Sequence, residues 1–190
     1  MGMMITGLVL WVLLHLFKRL LPRVRYDLGV IFGDDIPKGT LAILIIIGLL
    51  MIIFGYLRAP FIPLYTPPVW GFWAGNILMF VSLLFFGASA MNGKITAHIR
   101  HPLLSAVVLW SCAHLLSNGD LVSVILFGTL GFWAALQMTL ISVQDDVWRR
   151  PTGGTGRNDL LLLATVSLLY LAISGLHYAL DHNPFQEVHL

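Results

Sequence analysis

GTLAILIIIGLLMIIFGYL, residues Gly39–Leu57, contains no charged residue and is about as long as the roughly 20 residues that a helix needs to cross a bilayer. Five further uncharged runs of comparable length occur along the 190 residues. They are Met1–Phe17, Ala59–Gly93, Pro102–Gly119, Leu121–Gln144 and Leu160–Leu180. The sequence therefore predicts an all-α, polytopic integral membrane protein with about six transmembrane helices, forming a single transmembrane domain over residues 1–190.

The composition excludes several other classes of protein. Hydrophobic residues make up 58% of the chain and charged residues 11%, against roughly 45–50% and about 25% in a soluble domain. A soluble globular domain and a disordered chain are both excluded, and Cys112 has no second cysteine with which to form a disulfide. The net charge of only +2 gives no basic excess for nucleic acid. The partner that this composition indicates is the lipid bilayer.

The basic residues are distributed on one side of the predicted spans. Five of the 11 Lys and Arg residues follow the first span, two follow the third and three follow the fifth, whereas the loops on the other side contain only Arg58. Basic residues concentrate in cytoplasmic loops. The distribution therefore predicts cytoplasmic first, third and fifth loops and places both termini on the opposite side of the membrane.

Proline and glycine mark two breaks between the spans. The four prolines between Pro60 and Pro68 make this stretch a poor helix, so the third span is predicted to begin near Trp70. The tripeptide Asn118–Asp120 is typical of a tight turn and joins the fourth and fifth spans as a helical hairpin. We expect Gly119 to adopt a positive φ in this turn.

Three histidines are the chemically versatile groups within the spans, because no Asp, Glu, Lys or Arg lies well inside any of them. His15, His114 and His177 lie about 9, 18 and 26 Å from the cytoplasmic ends of straight helices that rise 1.5 Å per residue. His114 is thus the middle histidine and has either neighbour within reach. Histidine suits haem ligation as well as structural hydrogen bonding, and no third ligand suggests zinc.

Polar residues at the cytoplasmic boundary extend this set of candidates. Lys18 and Arg19 follow His15 by one helical turn and are possible contacts for haem propionates, or topology charges that reach the interface. A polar rim is also predicted from two loop clusters, whose other explanation is that Pro102, Asn158 or Asp159 begins a helix. The residues of this rim are Arg100, His101, Arg157, Asn158 and Asp159.

The stretch Arg100–Gly128, RHPLLSAVVLWSCAHLLSNGDLVSVILFG, resembles the signature of the NnrU family of bacterial membrane proteins. Three further motifs support the resemblance, which covers almost the whole chain. They are LLHLFKRLLPRVR around His15, GYLRAPFIPLYTPP from Gly55 and GRNDLLLL at Gly156–Leu163.

The NnrU family is similar to zeta-carotene isomerase, a membrane protein that holds haem b with a histidine of its first span and a histidine in a Trp-Cys-Leu-Ala-His motif. This resemblance implies that His15 and His114 ligate haem b, with His177 as the alternative ligand. The corresponding motif here is Trp110–His114, with Ser111 in place of the cysteine. A cysteine ligand at that position is therefore not available.

The resemblance also implies a function. It implies a multi-pass protein of the bacterial inner membrane with periplasmic termini, and a redox, isomerase-like or accessory role in denitrification, with nitrogen-oxide reductase components as possible partners. A non-enzymatic factor that supports the assembly or expression of these reductases is the alternative. A weaker alternative is an S-adenosylmethionine-dependent methyltransferase that uses the RHP and GRND clusters. The sequence leaves the oligomeric state open.

Overall fold

The computed structural model describes residues 1–33, 35–145, 147–152 and 154–180, without the side chains of Lys18 and of residues 35–37. This part of the chain is built from seven α-helices and one short 3₁₀ turn at Ile95–His98. The α-helices are α1 Gly2–Leu20, α2 Pro22–Phe32, α3 Asp35–Leu57, α4 Gly71–Ala88, α5 Pro102–Ser117, α6 Leu121–Gln144 and α7 Gly156–Ala179.

Four of these helices are long and apolar enough to cross a membrane. They are Lys38–Leu57 within α3, together with α4, α6 and α7. A fifth span results if α1 and α2, which are bent by 84° at their junction, count as one, and α5 is a shorter apolar helix. The prediction of an all-helical, multi-pass membrane protein is confirmed at this level.

The basic segment after α1 forms a helix of its own, which the hydropathy pattern alone does not reveal. Pro22 is the first residue of α2, a position at which its missing N–H costs nothing. None of the described side chains of α2 is buried, and Tyr26, Ile31 and Phe32 are well exposed. An exposed helix that combines apolar residues with basic ones suits the membrane interface.

Six of the α-helices pack in a row of neighbours. α3 packs against α1, α1 against α6, α6 against α5, α5 against α4 and α4 against α7. Glycines allow α1 and α3 to approach closely: a Cβ on Gly7 would lie 2.7 Å from the carbonyl oxygen of Gly48, and one on Gly55 would lie 2.7 Å from the Cα of Met4. Small residues bring helices together in this way within membranes.

The turn between α5 and α6 docks against the proline-rich loop. The backbone N–H groups of Leu64 and Tyr65 donate to the carbonyl of Gly119 at 2.8 and 3.0 Å, and the Tyr65 hydroxyl donates to the carbonyl of Asn118 at 2.8 Å. The hairpin and the interruption near Trp70 are confirmed. The expected positive φ at Gly119 is wrong, because among the described glycines only Gly33 adopts one. Lack of space explains why glycine occupies this position, since a Cβ on Gly119 would overlap the carbonyl oxygen of Tyr65.

Candidate functional site

His15 on α1 lies in a cage of two tryptophans. Its ring centroid is 4.2 Å from that of Trp11 and 5.0 Å from that of Trp133 on α6. Its Nδ1 lies 2.8 Å from the carbonyl oxygen of Trp11. Because a carbonyl only accepts hydrogen bonds, Nδ1 carries the hydrogen and the neutral ring keeps its lone pair on Nε2.

His114 on α5 has a similar aromatic environment. Its ring stacks on Phe127 of α6, with centroids 4.2 Å apart and an angle of 7° between the planes. The ring of Trp110, one turn earlier on α5, meets it edge-on at 5.2 Å. Nδ2 of Asn118 donates to the His114 carbonyl at 2.9 Å and lies 3.4 Å from Nδ1 of the ring.

His177 lies on a polar face of α7. Its Nδ1 is 2.9 Å from the carbonyl oxygen of Ile173, so that its lone pair also lies on Nε2. His177 is within electrostatic range of His114. Two turns earlier on α7, the Tyr170 hydroxyl donates to Oδ1 of Asn76 on α4 at 2.8 Å.

The contacts with α6 give the offset between His15 and His114. Phe127, which stacks on His114, and Trp133, which contacts His15, are six residues apart on α6. Six residues correspond to about 9 Å along a helix, which equals the offset expected between these two histidines.

The donor set fits a haem better than a bare metal ion. Within the described residues, no group of three or more His, Cys, Asp or Glu is placed to hold a metal ion. A haem iron takes its equatorial ligands from the porphyrin, so one or two histidines are enough. His15 and His177 each have Nδ1 held by a carbonyl and Nε2 available, which is the arrangement of metal-ligating histidines. His114 is common to either pairing.

An apolar cavity of about 300 Å³ lies between α1, α3, α5 and α6. Two of its walls are Trp11 and Trp110, the tryptophans that contact His15 and His114. The remaining lining residues are Leu49, Ile52, Ile53, Tyr56, Leu57, Leu126 and Leu130. The cavity therefore extends from Trp11, beside His15, to Trp110, beside His114, and its surface is apolar.

Four buried polar atoms on α1, α5 and α6 have no hydrogen-bond partner within the described residues. They are Nε1 of Trp11, Nε1 of Trp133 and Oε1 of Gln137, together with Oγ of Ser111 on α5. Trp133 is only 6% exposed. Buried polar groups are nearly always paired with protein, water or ligand, so this cluster indicates a partner from outside the chain.

Arg19, a predicted propionate contact, is paired within the protein. Its guanidinium donates to both carboxylate oxygens of Asp145 at 3.0 Å each. Nε2 of Gln144 donates to the Arg19 carbonyl at 3.1 Å, so the C-terminal ends of α1 and α6 are joined. The side chain of Lys18, the other predicted contact, lies outside the described part of the chain.

Arg100 and His101 contact the same end of α6. A guanidinium N–H of Arg100 donates to the carbonyl of Asp145 at 2.5 Å, and Nε2 of His101 lies 2.9 Å from Oγ of Ser142. Burial, and then the charge of Arg100, lower the pKa of His101 below its usual 6.5, while Asp145 opposes the shift. These two residues therefore connect the start of α5 to the end of α6.

Asn158 and Asp159 contact the loop between α4 and α5 instead. The carboxylate of Asp159 accepts from the backbone N–H groups of Lys94 and Ile95 at 3.1 and 3.2 Å. Nδ2 of Asn158 donates to the carbonyl of Asn92 at 2.7 Å. These bonds fix the loop to the start of α7.

The two halves of the predicted polar rim therefore have different partners. Arg100 and His101 belong to the α6 end, whereas Asn158 and Asp159 belong to the α7 start, and Arg157 is exposed. The expectation that Asn158 or Asp159 caps α7 is wrong. The cap is Thr155, whose Oγ1 accepts from the backbone N–H of Asn158 at 3.3 Å, which leaves both later side chains free to bind the loop.

Sequence reasoning missed the cage around His15. A tryptophan precedes a histidine by four residues twice, as Trp11 before His15 and as Trp110 before His114. Residues four apart on a helix are neighbours, so the repeated spacing was the available signal. No local pattern indicates that Trp133, more than 100 residues later, completes the cage.

The fold and the site together define a multi-pass helical membrane protein with histidines inside an aromatic bundle. Its sequence matches the family described as NnrU protein over residues 3–184. The chain belongs to the NnrU family. No curated protein matches it, and no solved structure does.

Proposed function

We propose that this protein binds one haem b in the bacterial inner membrane, which His114 and His15 would hold. The observation that carries the proposal is the pair of tryptophan-flanked imidazoles on α1 and α5, each in ring contact with α6, one of which has its lone pair fixed on Nε2. His177 is the alternative second ligand, supported by its Nδ1 contact with the Ile173 carbonyl, which leaves the lone pair on Nε2.

The protein's own residues contribute orientation and the exclusion of water. The Trp11 carbonyl fixes the tautomer of His15, and the rings of Trp133 and Phe127 hold the two imidazoles in place. The rings of Trp11 and Trp110 beside the two imidazoles supply the low-dielectric surroundings that a porphyrin ring favours. Bound haem supplies a redox-active iron, whose potential depends on its axial ligands and on burial.

In the cell, we propose a redox, isomerase-like or accessory role in denitrification, in the reduction of nitrite and nitric oxide. Membership in the NnrU family and the histidine set support this role. A non-enzymatic factor for nitrogen-oxide reductases is the alternative, and it requires no cofactor. The methyltransferase alternative has less support, because the RHP and GRND clusters are occupied with separate contacts in the protein.

The haem proposal is tested by the visible spectrum of the detergent-purified protein and its histidine variants. We expect a Soret band that is lost in His114→Ala, lost or shifted to a five-coordinate form in His15→Ala, and retained in His177→Ala. His98→Ala is the matched control, since His98 is exposed in the 3₁₀ turn outside the spans. Loss in His177→Ala with retention in His15→Ala would select the other pairing. Absence of a Soret band from haem-supplemented wild-type protein would favour the non-enzymatic alternative.

We also propose six spans, with α1 and α5 each crossing the membrane and both termini in the periplasm. The 19 residues of α1 reach about 28 Å and the 16 residues of α5 about 24 Å, close to the thickness of the hydrocarbon core. The one-sided basic residues support this orientation. A reporter enzyme that is active only in the periplasm should be active when fused to the C terminus. Activity of a cytoplasmic reporter at that point would overturn the orientation.

A further inference from the structure

We propose that the interface of α1 and α6 is a binding site for an isoprenoid quinone, with the quinone ring beside Trp11 and Trp133 and the tail in the apolar cavity. The site goes beyond the proposed haem function and uses none of its iron ligands. Two observations carry the proposal, namely the cavity and the cluster of unpartnered polar atoms, and they meet at Trp11.

The cavity has the size and surface of a site for a hydrocarbon tail. Its lining exposes almost no polar surface, and an apolar cavity of about 150 Å³ holds one benzene ring. A cavity of about 300 Å³ therefore accepts about twice as many carbon atoms. Leu49, Ile53 and Leu57 of its α3 wall are among the exposed residues of the protein, so the cavity opens toward the surrounding lipid.

The unpartnered polar atoms supply hydrogen-bonding groups for the quinone ring. Trp11 and Trp133 provide two indole N–H donors, and Gln137 provides one carbonyl acceptor. The rings of Trp11 and Trp133 meet edge-on with centroids 5.9 Å apart. The two donors match carbonyl oxygens of a quinone, and the acceptor matches the hydroxyl of the corresponding quinol.

One face of α6 carries both the residues that line the cavity and the residues proposed to bind the quinone ring. Leu126, Leu130, Trp133 and Gln137 follow one another by four, three and four residues and therefore share one face of the helix. The first two line the cavity and the last two carry unpartnered polar atoms. This face changes from apolar to polar toward the cytoplasmic end, as an amphipathic lipid does along its length.

The depth and charge of the site favour a neutral head over a phospholipid head group. Gln137 precedes the end of α6 at Gln144 by seven residues, which is about 10 Å. The three recognition groups are neutral, and Arg19 at the boundary below is already paired with Asp145. A charged phosphate at this depth would lack a cationic partner, which is costly within a membrane.

Binding is measured by titrating the purified protein in nanodiscs with decylubiquinone, whose ring quenches tryptophan fluorescence. We expect saturable quenching, with the Kd raised about five-fold in Trp11→Phe or Trp133→Phe and roughly thirty-fold in the double variant, as loss of one or two hydrogen bonds implies. Phenylalanine keeps an aromatic ring at each position. Trp73→Phe is the matched control, because Trp73 on α4 is 64% exposed and remote from the cavity wall.

A second pair of variants tests the tail without changing any tryptophan. Ile53→Phe adds volume to the cavity wall and should raise the Kd for decylubiquinone at least ten-fold. Ile46→Phe, seven residues earlier on the same face of α3 and outside the cavity, should leave it unchanged. Unsaturable quenching, or equal Kd values in Ile53→Phe and Ile46→Phe, would overturn the proposal.

Two further results distinguish a bound quinone from another lipid and from buried water. Phosphatidylglycerol with ten-carbon chains should not displace decylubiquinone, and equal displacement would assign the cavity to phospholipid. An unchanged Kd in the Trp11→Phe, Trp133→Phe double variant would mean that buried water, not a quinone, satisfies the indoles. Haem binding is read independently from the Soret band, so failure of either proposal leaves the other one standing.

Discussion

Gly119→Ala is expected to displace the proline-rich loop from the turn between α5 and α6. A Cβ at this position would overlap the Tyr65 carbonyl oxygen and would lie 2.9 Å from its carbon and 3.0 Å from Cδ of Pro67. The neighbours are backbone and a proline ring, which cannot move aside as a flexible side chain does. The loop must therefore shift away from the turn.

The cost follows from the hydrogen bonds that this shift breaks. The Gly119 carbonyl accepts from the backbone N–H groups of both Leu64 and Tyr65. Two such bonds contribute about 2 kcal/mol to the free energy of unfolding. For a protein of this size, that loss corresponds to a decrease of roughly 4–8 °C in Tm.

Thermal unfolding of the detergent-purified protein, followed by tryptophan fluorescence, measures this effect. Gly128→Ala is the matched control, because a Cβ on Gly128 meets nothing within 4 Å. We expect its Tm to stay the same or to rise slightly, since alanine favours a helix over glycine. Equal decreases in both variants, or no decrease in either, would refute the steric explanation.

Three further predictions concern other contacts. Gly55→Ala should lower the Tm more than Gly175→Ala, because its Cβ would press on the backbone of Met4, whereas a Cβ on Gly175 meets open space. Asp159→Ala should cost about 1 kcal/mol of unfolding free energy in chemical denaturation, since it leaves two backbone N–H groups without their acceptor, and Asp159→Asn should cost less. Acidification from about pH 7 to about pH 5 should lower the Tm of the wild type more than that of His101→Gln. The folded protein holds the pKa of His101 below its unfolded value, so protonation of His101 favours the unfolded state and the free energy of unfolding decreases as the pH falls.

Much of the helical architecture could be predicted because hydropathy and chain-breaking residues act locally. α6 has the bounds that the uncharged run predicts, and α4 begins one residue after Trp70. α2 could not be predicted in the same way, because its mixture of basic and apolar residues is equally compatible with a cytoplasmic loop. Only its position at the end of α1, beginning with Pro22, makes it a separate exposed helix.

The histidines of the candidate site could be found in the sequence, whereas their surroundings could not. Histidine within an uncharged span is visible in the sequence, and so is the relative depth of His15 and His114. The rings against which they lie come from α6, and the pairing of Arg19 with Asp145 joins residues 126 positions apart. Such partners depend on which helices pack together, and no local pattern encodes that choice.

The sequence by itself determined the class of protein, the span boundaries and the identity of the intramembrane polar groups, because the cost of burying charge and breaking backbone hydrogen bonds in lipid acts residue by residue. The tertiary structure decided which of these groups meet. It placed α6 between α1 and α5, so that Trp133 faces His15 and Phe127 faces His114. It also left α3 apart from α5, which creates the apolar cavity between them. Contacts of this kind depend on the packing of whole helices, in which the close approach at Gly7 and Gly55 matters as much as any residue of the site.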